Sequence, residues 1–264
     1  MSRTIESRKK QFTTRPSTNI WEELPSNANP YIAEKIRCRG YDLIELMKKR
    51  SFLEVFFLLF CGELPTPEQT QLLEKLMIAL INPGPRHPAT RAAMVSGASK
   101  TSPANFLPIS LSILSGSYLG STEVHHSMLF LKAHLNQDPT ETAKKYSRNK
   151  HFNGFHPAPG FGSRFGGIDS IVAQLAIQLK ECNGSGKTLA WGAHFANELT
   201  KFGYSWLTTG LAAAAFLDLG FTENAGPGLF QILCSPGLVA HGAEFSTKPM
   251  TAMPFPKDDE YVIE

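Results

Sequence analysis

One segment near the C-terminal end constrains the fold more than any other. Residues 206–220 read WLTTGLAAAAFLDLG, which is apolar nearly all the way round a helix and rich in alanine. A helix without a polar face must be buried, either in a core or in a subunit interface. Its small residues also allow neighbouring helices to approach closely. The segment therefore predicts a helical array around a buried central helix, and such arrays often dimerise through apolar helices.

Helical patterns separated by proline and glycine fill most of the chain. After a break at Gly62–Pro65, Thr66 is predicted as the N-cap and Pro67 as the first residue of a helix that ends at the Asn-Pro-Gly-Pro of 82–85. No run alternates convincingly enough to predict a sheet, although short β-ribbons near Trp21–Arg39 or the C-terminus stay open as alternatives. The further predicted helices cover 88–98, 103–115, 122–135, 139–148, 168–182, 187–202, 205–219 and 226–234, the last followed by a Ser-Pro-Gly turn.

Composition limits the class of protein. The 264 residues are enough for one large domain, or for a large and a small domain that share a core. Hydrophobic content is 42% and charged content 19%, as in folded globular proteins, and the net charge of +3 is too small to indicate a nucleic-acid partner. The longest apolar run, FLEVFFLLF, is about half of the ~20 residues that a membrane span needs. The expectation is a cytoplasmic protein without nucleic-acid or membrane partners.

The first 20 residues are polar and differ from the rest of the chain. No apolar stretch follows their positive charges, as a signal peptide would require. They are interpreted as a mobile or subunit-wrapping arm, with a nucleic-acid arm as the alternative, and residues 21–264 as one domain. The basic residues of the arm are Arg3, Arg8, Lys9, Lys10 and Arg15.

Two apparent motifs carry no chemistry of their own. NGSGKT at 183–188 resembles a phosphate-binding loop, but that motif would need glycine where the chain has Glu181, so a helix-to-helix turn is the better interpretation. His125 and His126 are adjacent, and on a helix they point about 100° apart, so they cannot chelate one metal. No metal site is expected, because the remaining candidates lack ligand-spaced partners. These are His156, His194, His241 and the scattered thiols of Cys38, Cys61, Cys182 and Cys234.

Several stretches together resemble the citrate synthase superfamily, whose members include citryl-CoA lyase. The similarity covers roughly residues 20 to 250, and its first signature is the Arg-Gly-Tyr and "sF.ev..LL..GeLPt" pattern. The stretches that carry it are RCRGYDLIELMKKRSFLEVFFLLFCGELPTPEQ (37–69), LSGSYLGSTEV (114–124), PGFGSRFGGIDS (159–170), YSWLTTGLAAAAFLDLG (204–220) and LCSPGLVAHGAEF (233–245).

This resemblance implies an all-α dimer with a large and a small domain that close over oxaloacetate-type and acyl-CoA ligands. The small-domain portion would be roughly 139–205, and the dimer interface would use apolar helices from about 88–115. The family's chemistry makes or breaks a bond between a thioester α-carbon and a keto acid. It needs a base, a histidine that stabilises the enolate, a second histidine on the ketone and arginines that bind carboxylates.

The chain departs from the family pattern at these functional positions. Five polar groups are replaced by apolar or small residues. The enolate histidine falls on Leu119, the second histidine on Ser163, the aspartate base on Trp206, and the two carboxylate arginines on Cys234 and near Ile171.

The resemblance still places a ligand loop and a pocket. The predicted CoA-binding residues are Pro159, Gly160, Phe161, Gly162, Ser163 and Arg164, with Arg164 near a phosphate; the alternative is that the glycines merely shape a turn. The predicted pocket residues are Leu119, Gly120 and Trp206. No catalytic residue is assigned, and the candidates are His87, which stands near a family histidine, and Asp169.

Two functions therefore compete. The first is an enzyme that forms or cleaves a C–C bond on an acyl-CoA with a partner other than oxaloacetate, in which His87, Asp169, His125 or His156 would supply the proton transfers. The second is an inactive homologue that binds CoA or pairs with an active related subunit, as a homodimer or a heteromer. In both, CoA or acyl-CoA is a ligand, and no permanently bound cofactor is expected.

Overall fold

The computed structural model describes residues 13–147, 156–254, 256–257 and 259–262. The predicted arm residues Arg3, Arg8, Lys9 and Lys10 lie outside the described residues. The chain divides into two compact units, Met1–Leu64 and Pro65–Glu264. None of the helices in the described part of the chain is long and apolar enough to cross a membrane.

The first unit holds a small antiparallel sheet and two helices. The sheet order is β1-β2-β3, with Trp21 opposite Cys38, so a ribbon does form in the region where one was left open. Cys38, Leu46 and Leu58 form a buried core. The elements are β1 (Trp21–Pro25), β2 (Ala33–Cys38), β3 (Tyr41–Asp42), α1 (Leu43–Lys49) and α2 (Phe52–Cys61).

The second unit is helical, which confirms the all-α fold class. Its first helix begins as predicted, because Thr66 and Gln69 form a capping box ahead of Pro67. The helices are α3 (Pro67–Leu80), α4 (Pro88–Ala98), α5 (Phe106–Leu114), α6 (Ser121–His134), α7 (Pro139–Ser147), α8 (Ser170–Lys180), α9 (Lys187–Leu199), α10 (Thr208–Asp218) and α11 (Gly226–Ser246), with 3-10 turns at Pro103–Asn105, Thr200–Phe202 and Met250–Ala252.

Helix α10 is the buried central helix that the sequence predicts. Every residue from Thr209 to Phe216 is buried. Glycine at 210 is required by the packing, since a Cβ there would lie 2.1 Å from the carbonyl oxygen of Gly160. The helix starts later than predicted, because Ser205 and Trp206 form a strand, β5 (Ser205–Trp206), paired with β4 (Phe161–Gly162).

Helix α11 continues through Pro236, so the predicted Ser-Pro-Gly turn is wrong. Proline removes one helical N–H donor and usually ends or kinks a helix. Here the N–H of Gly237 donates to the carbonyl oxygen of Ile81 at 2.9 Å, outside the helix. A tertiary contact to the end of α3 thus satisfies a donor at the point where the helical ladder is interrupted.

The turn between α8 and α9 carries the NGSGKT sequence and holds no free phosphate cradle. The Asp218 carboxylate accepts hydrogen bonds from the N–H groups of Gly186, Thr188 and Leu189 at 2.8 to 2.9 Å. These are the donors that an anion would use at this helix N-terminus. A carboxylate of α10 therefore occupies the position, in agreement with the turn interpretation.

Candidate ligand-binding site

Two adjoining cavities open in the second unit between the loop after α3 and the segment before α8. The inner one, which we call the inner chamber, has a volume of about 390 Å³. The outer one, the outer cleft, has about 490 Å³. Both lie in the range of small-molecule sites. Pro83, Arg86, Arg164 and Asp169 line both cavities and so mark their junction. The inner chamber is further lined by Ala79, Leu80, Asn82, His87, Leu119, Ile171, Val172, Leu175, Leu207, Thr208, Phe230 and Cys234.

His87 is the N-cap residue of α4, and both of its ring nitrogens are engaged. Nδ1 accepts from the N–H of Ala89 at 3.1 Å, so the ring proton is on Nε2, which lies 3.2 Å from the carbonyl oxygen of Leu119. Burial lowers the pKa of His87 below 6.5; the Leu119 carbonyl opposes this and the charge of Arg164 adds to it. The imidazole is therefore neutral at pH 7.

Arg164 and Asp169 form an ion pair at the junction of the two cavities. Arg164 Nη1 donates to Asp169 Oδ2 at 3.2 Å, while Asp169 Oδ1 caps α8 by accepting from the N–H groups of Ile171 and Val172. Arg164 Nε is buried and has no hydrogen-bond partner among the described residues. The guanidinium of Arg164 thus uses Nη1 in the ion pair with Asp169, and its Nε is a buried donor without an acceptor among the described residues.

The backbone of the predicted CoA loop is bonded within the protein. Gly160 N–H donates to the Glu123 carboxylate at 3.3 Å, its carbonyl accepts from Leu207 N–H at 2.9 Å, and Phe161 N–H donates to Ala158. The Phe161 ring is fully buried in an aromatic cluster. These contacts fit the alternative in which the glycines shape a packed turn. Of the six predicted CoA-binding residues, those away from the cavity walls are Pro159, Gly160, Phe161, Gly162 and Ser163.

Three of the five positions where the chain departs from the resemblance lie together on the wall of the inner chamber. They are Leu119, Ile171 and Cys234, from the loop before α6, from α8 and from α11. Burial raises the pKa of the Cys234 thiol to about 12, so the thiol is neutral and contributes a largely apolar surface. The fold thus brings three positions that are far apart in the sequence to one wall. The surface that they present to the chamber is largely apolar.

The other predicted pocket residues lie outside this wall. Gly120 is the N-cap of α6. Trp206 is 3% exposed and its ring lies 4.6 Å from that of Phe161. The next residues along the chain, Leu207 and Thr208, reach the chamber instead.

Glu123 and His156 form a buried cluster that the sequence analysis does not single out as a pair. Glu123 Oε2 accepts from Leu119 N–H at 2.7 Å, and His156 Nε2 lies 3.8 Å from Oε1. Burial raises the pKa of Glu123, while the hydrogen bonds from the N–H groups of Leu119 and Gly160 oppose this rise. A glutamate in the first turn of a helix is common, so its position gave no signal.

The histidines proposed for proton transfer are thus in different places. His87 lines the chamber, His156 lies in the buried cluster, and His125 Nδ1 contacts the carbonyl oxygen of Glu223 at 2.9 Å, away from both cavities. Within the described part of the chain, no three His, Cys, Asp or Glu side chains converge as metal ligands. Arg86, at the junction, gives no signal in the sequence, because a single arginine in a loop is ordinarily a solvated surface residue.

Residues 25–165, more than half of the chain, match the family model described as citrate synthase, C-terminal domain. Citryl-CoA lyase from Hydrogenobacter thermophilus is 23% identical with a TM-score of 0.73, over 94% of this chain and 93% of that chain. ATP citrate lyase from Methanothrix soehngenii, solved with citrate and coenzyme A, is 16% identical with a TM-score of 0.71, over 97% of this chain and 44% of that chain.

Citrate synthase from Thermoplasma acidophilum, solved with carboxymethyl coenzyme A and oxaloacetate, is 18% identical with a TM-score of 0.54, over 81% of this chain and 59% of that chain. At these identities the solved structures establish the fold. No curated protein sequence matches the chain.

Proposed function

The chain belongs to the citrate synthase family, and on that premise we propose that it binds a CoA thioester without the family's proton-transfer chemistry. The acyl end would lie in the inner chamber, and the anionic remainder would extend through the outer cleft. CoA is a ligand in this proposal, and no permanently bound cofactor takes part.

The proposal that the protein does not turn over a substrate is supported by one observation. The titratable groups on the chamber wall that could transfer a proton already form hydrogen bonds within the protein. Both ring nitrogens of His87 are engaged by α4 and by Leu119. Both carboxylate oxygens of Asp169 are engaged by α8 and by Arg164. Loss of a general base or of an enolate stabiliser typically costs on the order of 10²–10⁴ in rate each, so acetyl-CoA and oxaloacetate should give negligible citrate formation.

Charge at the junction supports the binding of an anionic ligand. Arg86 and Arg164 both face the two cavities, and the carboxylate among the described lining residues, Asp169, is already paired with Arg164. A guanidinium offers several donors in a fixed plane, which suits a phosphate or a carboxylate. A hydrogen bond from the Nε of Arg164 to a ligand would contribute most to binding, because this buried donor has no partner among the described residues.

A second candidate is an enzyme with a rebuilt C–C ligase or lyase site. The observation in its favour is the lowered pKa of His87, because a neutral imidazole on a cavity wall is a usable base or donor once it exchanges a partner. Pairing with a second subunit, identical or related, belongs to either candidate. Val95, Ile109 and Ile113 of α4 and α5 are exposed apolar residues that such an interface would cover.

The test combines calorimetric titration with a thiol-release assay on the same preparation. CoA and acetyl-CoA are titrated into the protein. Release of free CoA is followed with acetyl-CoA plus oxaloacetate or a monocarboxylic keto acid such as pyruvate. With citryl-CoA alone, formation of oxaloacetate is followed instead, because its cleavage gives acetyl-CoA and no free thiol.

Binding without either product supports the first candidate. Cleavage of citryl-CoA, or condensation with the monocarboxylic keto acid, at a turnover number within tenfold of an ordinary ~10 per second would establish the second. The same rate of citrate formation from acetyl-CoA and oxaloacetate would contradict the loss of the family's functional groups.

A further inference from the structure

We infer that the inner chamber binds the aliphatic chain of a monocarboxylic acid, with the carboxyl end at Arg86 and Arg164. The acid can arrive as a free carboxylate, which pairs with the guanidinium groups, or as a CoA thioester, whose neutral carbonyl oxygen accepts a hydrogen bond there. The inference rests on the proposed function in using the same site, and it adds the chemical class of the acyl group.

The walls of the chamber are aliphatic on three sides. α3 contributes Leu80, α8 contributes Val172 and Leu175, and the loop before α6 contributes Leu119. α11 closes the remaining side with Phe230. An extended or branched hydrocarbon chain gains free energy by leaving water for such a wall, by about fourfold in affinity for each methylene.

Away from the two arginines, the described polar groups of the chamber offer no cation for a second carboxylate. His87 and Asp169 have committed atoms, and Asn82 uses Oδ1 on the N–H of Gly84 and Nδ2 on His241. A dicarboxylate or a citrate-like ligand would leave one carboxylate inside the chamber without a cation, which is a strongly unfavourable burial. The aliphatic chain is therefore expected to carry no charged group of its own.

The arginines sit where the charged end of such a ligand would lie. Arg86 and Arg164 line both the inner chamber and the outer cleft, so they mark the exit of the chamber. Arg164 Nε is buried and without a partner among the described residues. An apolar cavity with a cationic exit matches an amphipathic anion, with the chain inside and the head group at the exit.

The test is a chain-length series measured by calorimetry. Acetate, butyrate, hexanoate and octanoate are titrated as free acids and as CoA thioesters, with succinate and citrate as charged comparators. Affinity should rise about fourfold per methylene until the chamber is full and then level off, and both comparators should bind more weakly than hexanoate.

Two variants change the volume of the chamber, and one serves as a control. Ala79→Phe places a ring in the chamber from α3 and should end the rise at a shorter chain. Leu175→Ala enlarges the chamber and should move the plateau to a longer chain. Ile177→Ala, at an exposed position of the same helix that does not line the chamber, should leave the series unchanged. Leu175→Ala carries the test if Ala79→Phe does not fold.

The outcomes separate this inference from the proposed function. If CoA and all thioesters bind equally whatever the chain, the aliphatic chamber is wrong and the proposed function stands. If free acids bind with an affinity that depends on chain length while no CoA thioester binds, the aliphatic chamber is supported and the proposed function is wrong. Tighter binding of citrate than of hexanoate overturns the inference, and no binding of any ligand overturns both.

Discussion

The regions on the two sides of the Leu119 backbone differ in polarity. On one side lies the inner chamber, where positions that the family resemblance assigns to polar functional groups hold Leu119, Ile171 and Cys234. On the other side lies a region that we call the packed layer, made of buried polar residues and glycines. It comprises Glu123, Ser127, His156, Gly160, Thr209 and Gly210.

Leu119 belongs to both regions and shows how they differ. Its carbonyl oxygen contacts His87 in the chamber, its N–H donates to Glu123 in the packed layer, and its φ of 55° is unusual for a branched side chain. The hydrogen bond from the Leu119 N–H to the Glu123 carboxylate holds this conformation on the layer side, whereas the side chains on the chamber side border a cavity. The packed layer should therefore tolerate few substitutions, and the chamber wall should tolerate many.

The largest effect should come from Gly210→Ala in the packed layer. The added methyl group would lie 2.1 Å from the carbonyl oxygen of Gly160, which is backbone and cannot move aside. We expect the free energy of unfolding, measured by urea denaturation, to fall by about 3 kcal/mol or more, at the upper end of the cost of overpacking, because the clash is with backbone.

The matched control is Gly228→Ala on α11. A Cβ there meets no atom within 4 Å, so the change should lie within about 1 kcal/mol and be neutral or stabilising. Equal effects of the two substitutions would show that the close approach at Gly210 does not limit the packing.

Glu123→Ala should have the next largest effect. The substitution leaves the N–H groups of Leu119 and Gly160 buried without their acceptor. The expected loss is about 2–4 kcal/mol in the free energy of unfolding, while Glu141→Ala, at an exposed position on α7, should change it by less than about 0.5 kcal/mol. A loss below about 1 kcal/mol for Glu123→Ala would show that the Glu123 carboxylate does not hold the packed layer together.

Arg164→Ala tests the chamber side, where ligand binding should change more than folding. A charged multi-donor contact contributes about 1.5–3 kcal/mol, so CoA affinity measured by calorimetry should fall roughly ten- to a hundredfold. The ion pair with Asp169 is partly exposed, so the melting temperature should change little.

The control for Arg164→Ala is Arg91→Ala, an exposed arginine of α4 that lines neither cavity. It should change neither CoA affinity nor the melting temperature. A lowered melting temperature with unchanged CoA affinity for Arg164→Ala would mean that Arg164 serves only to tie the loop to Asp169.

Local signals explain how much of the fold could be predicted from the sequence. The predicted helix 88–98 is the observed α4, and the Thr66 cap and the buried α10 are found as predicted, because caps, proline and hydrophobic periodicity act within a few residues. The β4–β5 ribbon and the passage of α11 through Pro236 were missed. Both depend on partners far away in the chain, Phe161 for Trp206 and Ile81 for Gly237.

The candidate site also combines residues that the sequence indicates with residues that it does not. The family resemblance marked Leu119, Ile171 and Cys234 as displaced functional positions, and the fold brings them to one wall. Arg86 and Glu123 carried no local signal, because an arginine in a loop and a glutamate in a first helical turn are ordinary. Only tertiary packing makes the first a junction residue and the second a buried one.

The smallest effect concerns pH and the conservative variant Glu123→Gln. Burial raises the pKa of Glu123 in the folded protein above 4.5, so the folded state holds this proton more tightly than the unfolded state does. As the pH rises from 4.5 through the raised pKa, the wild type should lose stability from this group. Glutamine has no such proton, and its amide keeps one acceptor at a general cost of about 1 kcal/mol.

The stability difference between wild type and Glu123→Gln should therefore shrink as the pH rises. Melting temperatures of both proteins across pH 4 to 8 measure this difference, and titratable groups that are common to both and distant from residue 123 cancel in it. A difference that grows with pH would instead place Glu123 as an ionised group stabilised by its backbone donors. In that case the packed layer would be held together by charge, and its contrast with the apolar chamber would be sharper still.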